Sequence, residues 1–144
     1  MASDDTASPE RLLIVEDDAA FARTLARSFE RRGYEVRVAA SLDQLTTVLA
    51  GGYAPTRAVV DLKLQGEASG LACVRALVAH DDRMLIVVLT GFASIATAVE
   101  AIKLGACHYL AKPSNTDDIE AAFGRAEGTT EVALTNLATR EQQM

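Results

Sequence analysis

Five short aliphatic runs, separated by helical patterns, constrain this 144-residue chain more than any other feature. The runs are Leu12 to Val15, Tyr34 to Ala39, Ala58 to Val60, Met84 to Leu89 and Tyr109 to Ala111. Runs this continuous suit strands buried on both faces, as in a parallel sheet. Between them apolar residues recur at helical spacing: Phe21, Leu25 and Phe29; Leu42, Leu45 and Leu49; Leu71, Val74 and Val78; Ile95, Val99 and Ile102; Ile119 and Phe123. Five such strand–helix units predict an α/β fold, a (βα)5 doubly wound parallel sheet with right-handed crossovers and helices on both faces. At 49% hydrophobic the chain can build a full core, and with only 5% aromatics that core is aliphatic.

Local signals agree with these boundaries. Ser41 followed by Gln44 has the pattern of a capping box. Gly33, Gly51 and Gly105 stand where helices should stop. Asp117 and Asp118 fall in the first turn of the last helix, where the helix dipole favours negative charge. Residues 1–10 are expected as a flexible polar arm, 11–125 as one domain, and 126–144 as a linker or the start of a connecting helix. Neither a signal-peptide pattern nor a bilayer-spanning segment is visible, so a cytoplasmic protein without membrane contact is expected. The net charge of −6 argues against this segment gripping a phosphate backbone by itself. Cys73 and Cys107 suit reduced packing thiols, and His80 and His108 surface or strand-edge positions.

In doubly wound sheets the functional crevice lies at the carboxyl ends of the strands. The first strand ends in Glu16-Asp17, the third in Asp61, the fourth in Thr90-Gly91 and the fifth in Lys112-Pro113. Three carboxylates gathered there repel one another unless a cation neutralises them. Mg2+ suits the set, because it takes oxygen ligands, keeps several waters and also binds phosphoryl oxygens. Thr90 adds a hydroxyl, Lys112 a point charge, and a carboxylate can serve as nucleophile to form an aspartyl phosphate. Asp18 suits a helix cap better than a ligand.

The pieces "LLIVEDD", "AVVDLKL", "IVVLTG" and "YLAKP", in this order and spacing, resemble the receiver domain of two-component response regulators from about Arg11 to Arg125. The resemblance implies the strand order 2-1-3-4-5. It makes Asp61 the phosphoacceptor, and Glu16, Asp17, Asp61 and the backbone carbonyl of Lys63 the Mg2+ site. Thr90 and Lys112 would contact the phosphoryl group, Thr90 and Tyr109 would form the switch pair, and Lys112-Pro113 would be a cis peptide. The partners it implies are a sensor histidine kinase and a second copy, docked through the face of helix 4, strand 5 and helix 5. Such a domain is not an enzyme in the ordinary sense: it catalyses only its own phosphorylation and dephosphorylation.

"LTGFASIATAVEAIKLGA" and "DLKL" look similar to a subgroup of global redox-responsive regulators that carry a Fis-like helix-turn-helix after the receiver. DNA contact and control of transcription are then expected through a C-terminal domain not contained in these residues. Glu16 stands where Asp is commoner in the family, and "DLKLQGEASG" from Asp61 to Gly70 suggests a lengthened loop without the usual Pro. Two alternatives remain: a stand-alone receiver acting as a phosphorelay or interaction module, and a Mg2+-dependent phosphohydrolase. Phosphohydrolases with an Asp nucleophile use DxD at the end of strand 1, whereas Glu-Asp-Asp stands here.

Overall fold

The computed structural model describes residues 9–64, 67–91, 95–112 and 114–126, leaving out the side chains of 67–69. Five strands, β1 (Arg11–Val15), β2 (Glu35–Ala39), β3 (Arg57–Asp61), β4 (Leu85–Thr90) and β5 (His108–Ala111), alternate with helices. The helices are α1 (Ala19–Arg31), α2 (Leu42–Ala50), α3 (Glu67–His80), α4 (Ile95–Leu104) and α5 over residues 116–126. The strands form one sheet in the order β2-β1-β3-β4-β5, and every pair is parallel. The predicted architecture is therefore the observed one. Among the described residues no helix is long and apolar enough to cross a membrane.

The continuous runs behave as expected of strands covered on both sides. Leu13 and Val15 join Leu45, Val74, Leu77 and Ala98 in one core, under α2, α3 and α4. Leu12 and Ile14, one residue out of phase, join Leu25, Phe29, Ile119 and Phe123 in the other, under α1 and α5. Because side chains alternate across a strand, four consecutive leucine, isoleucine and valine residues feed both cores. Strand β5 departs from this: it is an edge strand whose burial alternates, and Tyr109 is 36% exposed. Helix α4 departs further. Ile95, Val99 and Ile102 share a face, but that face points to solvent while Ala98 and Ala101 contact the sheet. Small residues let this helix lie close to the sheet and leave its larger apolar side chains outside.

The capping signals are realised with adjustments. Asp18 accepts a hydrogen bond from the Phe21 amide at 3.1 Å, so it is the cap of α1. Ser41 Oγ accepts from the Gln44 amide at 3.2 Å, and Gln44 Oε1 accepts from the Ala40 amide at 2.8 Å. Asn115 and Asp118 cap α5 reciprocally, at 2.9 and 3.2 Å. After α2 the left-handed residue is Gly52 (φ 100°), while Gly51 keeps an ordinary φ as the C-cap. The stretch from Asp61 to Gly70 is not all loop, because α3 already begins at Glu67. Gly70 has a steric reason: a Cβ there would lie 2.4 Å from the carbonyl oxygen of Leu62.

Candidate functional site

The register of the sheet brings the site together. Val15 pairs with Val60, Asp61 with Leu89, and Thr90 with Ala111. The residues just past these pairs, Glu16-Asp17 and Lys112, therefore emerge at the same edge as Asp61 and Thr90. Glu16, Asp61 and Thr90 are buried, whereas Asp17 is exposed. Glu16, Asp17 and Asp61 each place a carboxylate oxygen within 4.8 Å of the others. Lys112 Nζ lies 3.1 Å from Asp61 Oδ2 and 3.4 Å from Glu16 Oε1.

Backbone amides hold these carboxylates in place. The Lys63 amide donates to Asp61 Oδ1 at 3.0 Å, and the Asp18 amide donates to Glu16 Oε2 at 3.1 Å. The Thr90 hydroxyl donates to the Gly91 carbonyl at 3.2 Å, and the Lys112 amide donates to the Thr90 carbonyl at 2.8 Å. Lys112 Nζ also stands 5.4 Å from the centre of the Phe21 ring, within cation–π range.

Charge at the site is only partly balanced. Burial pushes the Glu16 carboxyl up to about 7; the Asp61 carboxylate adds to this, and the Asp18 amide and Lys112 oppose it. Burial alone would lower Lys112, but its hydrogen bond and ion pair with Asp61, and then Glu16, leave it net raised. Glu16 Oε1 is buried and accepts no hydrogen bond. A buried carboxylate oxygen without a donor is costly and calls for an explanation. Three carboxylates that each bring an oxygen within 4.8 Å of the others fit a divalent cation of the Mg2+ or Ca2+ type.

Glu16, Asp17, Asp61, Thr90 and Lys112, expected at one edge of the sheet, lie together there. Tyr109 sits on the edge strand, stacked on His108 at 6.3 Å between ring centres and turned outward. The expected cis bond at Lys112-Pro113 lies outside the described residues. Three contributors were missed: the amides of Lys63 and Asp18, and the Phe21 ring. Backbone donors carry no residue signature, and Phe21 fits the apolar spacing of α1 too well to stand out. Cys73 is buried, and desolvation raises its thiol to about 11; Cys107 is raised by the same cause. Both suit packing rather than reactivity.

The chain is 46% identical to the acid tolerance regulatory protein ActR of Sinorhizobium medicae, over 86% of this chain and 63% of that protein. It is 42% identical to the photosynthetic apparatus regulatory protein RegA of Rhodobacter capsulatus, over 81% of this chain and 62% of that protein. The chain thus spans less than two thirds of the length of these relatives. A crystal structure of a response regulator from Burkholderia pseudomallei, with a phosphorylated aspartic acid, calcium ion and citrate, is 46% identical with a TM-score of 0.73. That match covers 88% of this chain and 75% of the other. Residues 12–124 match the family described as response regulator receiver domain. With the sheet order, the strand-edge carboxylates and these relatives in agreement, the chain belongs to the response regulator receiver domain family.

Proposed function

We propose that Asp61 accepts a phosphoryl group from a sensor histidine kinase and that the resulting charge resets an output surface. The observation that carries this reading is the cluster of carboxylate oxygens of Glu16, Asp17 and Asp61, within 4.8 Å of one another, which has one lysine against it and in which the buried Glu16 Oε1 accepts no hydrogen bond. Glu16, Asp17, Asp61 and the Lys63 carbonyl are the groups that would hold Mg2+. When bound, the ion neutralises the carboxylates and draws charge from phosphoryl oxygens. The phosphorylated aspartate and calcium of the Burkholderia relative support carrying this chemistry over.

The chain's own groups have definite tasks. The Lys63 amide holds the Asp61 carboxylate in one orientation through Oδ1. An Asp61 oxygen attacks phosphorus, the bond from phosphorus to the donor histidine nitrogen breaks, and that nitrogen keeps the electron pair. Lys112, already paired with Asp61, remains to pair with the new phosphoryl oxygens. The Thr90 hydroxyl turns from the Gly91 carbonyl towards the added group. The phosphoryl group brings roughly −1.5 to −2 charges, enough to bias such a two-state element.

Thr90 moving inward frees space for Tyr109, whose outward, 36% exposed position is one end of that motion. The face so altered includes the exposed Ile95, Val99 and Ile102 of α4, and an apolar face of this kind suits docking of a second copy. ActR and RegA are named as regulatory proteins, which supports control of transcription through a DNA-binding domain outside these residues.

The test is labelling with acetyl phosphate and Mg2+, followed by intact mass and peptide mapping. One phosphoryl group is expected, on Asp61, and Asp61→Ala should abolish it. Undiminished labelling of that variant contradicts the assignment.

A further inference from the structure

The Lys112 side chain is 33% exposed, against 2% and 4% for the Glu16 and Asp61 side chains that it faces. A lysine side chain is flexible, and holding its ammonium in one place costs rotamer freedom. Two ion pairs hold it here, at 3.1 Å to Asp61 and 3.4 Å to Glu16. Both partners are carboxylates that a cation at the site would claim. An ammonium secured by them alone would be loosened as the carboxylates are neutralised, just when an incoming phosphoryl group needs it.

Phe21 offers a hold of another kind. Its ring centre lies 5.4 Å from Lys112 Nζ, and among the described residues the ring is the contact of Nζ that no carboxylate makes. Leu25 and Phe29, on the same face of α1, are buried, whereas Phe21 in the first turn is half-buried at the rim of that core. A rim position of this sort needs only a large apolar side chain. An aromatic ring adds a face of negative potential that attracts an ammonium. A hard divalent cation takes oxygen ligands, so it does not compete for the ring. The same turn also steadies the acid: the Phe21 amide donates to Asp18 Oδ1, and the Asp18 amide donates to Glu16 Oε2.

We propose that Phe21 is a positioning residue whose ring keeps the Lys112 ammonium at the site when the carboxylates are neutralised, so that it meets the phosphoryl oxygens arriving on Asp61. The inference rests on the phosphoacceptor reading of Asp61 and adds a residue to it. Phe21 acts through Lys112 and takes no part in making or breaking bonds. Its contribution is pre-organisation: the lysine does not have to be recovered from solvent as the phosphoryl group transfers.

The experiment replaces Phe21 by mono-, di- and trifluorinated phenylalanines, which keep the ring's shape and apolarity while draining charge from its face, and by leucine in Phe21→Leu. With acetyl phosphate and Mg2+, the initial rate of Asp61 labelling should fall stepwise with each added fluorine, to about one third of the wild-type rate for the trifluorinated chain. Phe21→Leu should match that chain, and Phe21→Tyr should keep the wild-type rate. Carbon-13 relaxation of the Lys112 ε-methylene, recorded with Mg2+ and without any phosphodonor, should show the side chain growing more mobile in the same order. Wild-type rates across the fluorinated chains overturn the proposal. So does a fall in rate without a gain in lysine mobility, which would make the ring a packing element only. Should acetyl phosphate fail to label Asp61 of the wild type, the phosphoacceptor reading itself falls, and the positioning role with it; a labelled wild type with a flat fluorine series defeats the positioning role alone.

Discussion

The two ends of the sheet both gather charge, and they treat it differently. At the amino-terminal ends of the strands, Arg57 is buried between the rings of Tyr34 and Phe123, 5.7 and 5.4 Å from their centres. It donates to the Tyr34 hydroxyl at 2.6 Å, and that hydroxyl donates to Glu120 Oε2 at 3.2 Å. Arg32 closes the chain of contacts by pairing with Glu120 and Asp117. At the carboxyl ends, Glu16 Oε1 accepts no hydrogen bond, and one lysine, 3.4 Å from it, faces three carboxylates. A completed polar network fixes structure, whereas an incomplete one stores cost that a ligand can relieve. The difference separates scaffold from site.

The strongest way to break this comparison is to damage the completed end. Arg57→Ala should lower stability by about 3 kcal/mol in urea unfolding, since it removes a buried charge from its partners. Acetyl phosphate labelling of the folded protein should persist at the wild-type rate. A variant that keeps its stability, or that folds but no longer labels, would dissolve the distinction between the two ends.

A smaller effect is expected at the incomplete end, and its sign is opposite to that of an ordinary salt bridge. The Glu16 carboxyl is raised from 4.5 to about 7, so the folded state binds its proton more tightly than the unfolded chain. Stability from this group is complete below about pH 4.5 and is lost as pH rises through about 7. In the presence of a chelator, the loss should amount to roughly 2–3 kcal/mol. Glu16→Gln should flatten the dependence, and excess Mg2+ should restore stability at pH 8. Melting temperatures across this range check all three outcomes, and a flat wild-type profile would refute the electrostatic picture.

The smallest effect should come from Arg32→Ala. Its ion pairs with Asp117 and Glu120 lie near the surface, so the loss of stability should be slight and should vanish at high salt. Hydrogen exchange at the start of α5 gives the sharper readout, with faster exchange expected in the variant.

How much of this was legible depends on whether a feature is local. The strands were visible because Leu12 to Val15 and Met84 to Leu89 are continuous aliphatic runs, and Ser41 and Gln44 announced a helix start. Asp61 was legible because a lone acid closes an apolar run at a predicted strand end. The outward turn of Ile95, Val99 and Ile102 was not, since spacing gives a shared face but not its direction. The need for Gly70 was hidden too, because it arises from the approach of the Leu62 carbonyl. The network of Arg57, Tyr34 and Glu120 joins three separated segments, and no local pattern encodes it. Amides such as that of Lys63 are invisible in principle, because every residue but proline has one.

The central claim is that the carboxylates left unbalanced at the strand ends form a cation site built around a phosphoacceptor. Crystals grown with Mg2+ and beryllofluoride test it most directly. The account requires beryllofluoride on the Asp61 carboxylate, a metal ion contacting Asp17 and the Glu16–Asp61 cluster, and Lys112 and Thr90 turned towards the adduct. Crystals saturated with both reagents that show a bare Asp61 and metal bound elsewhere would contradict it.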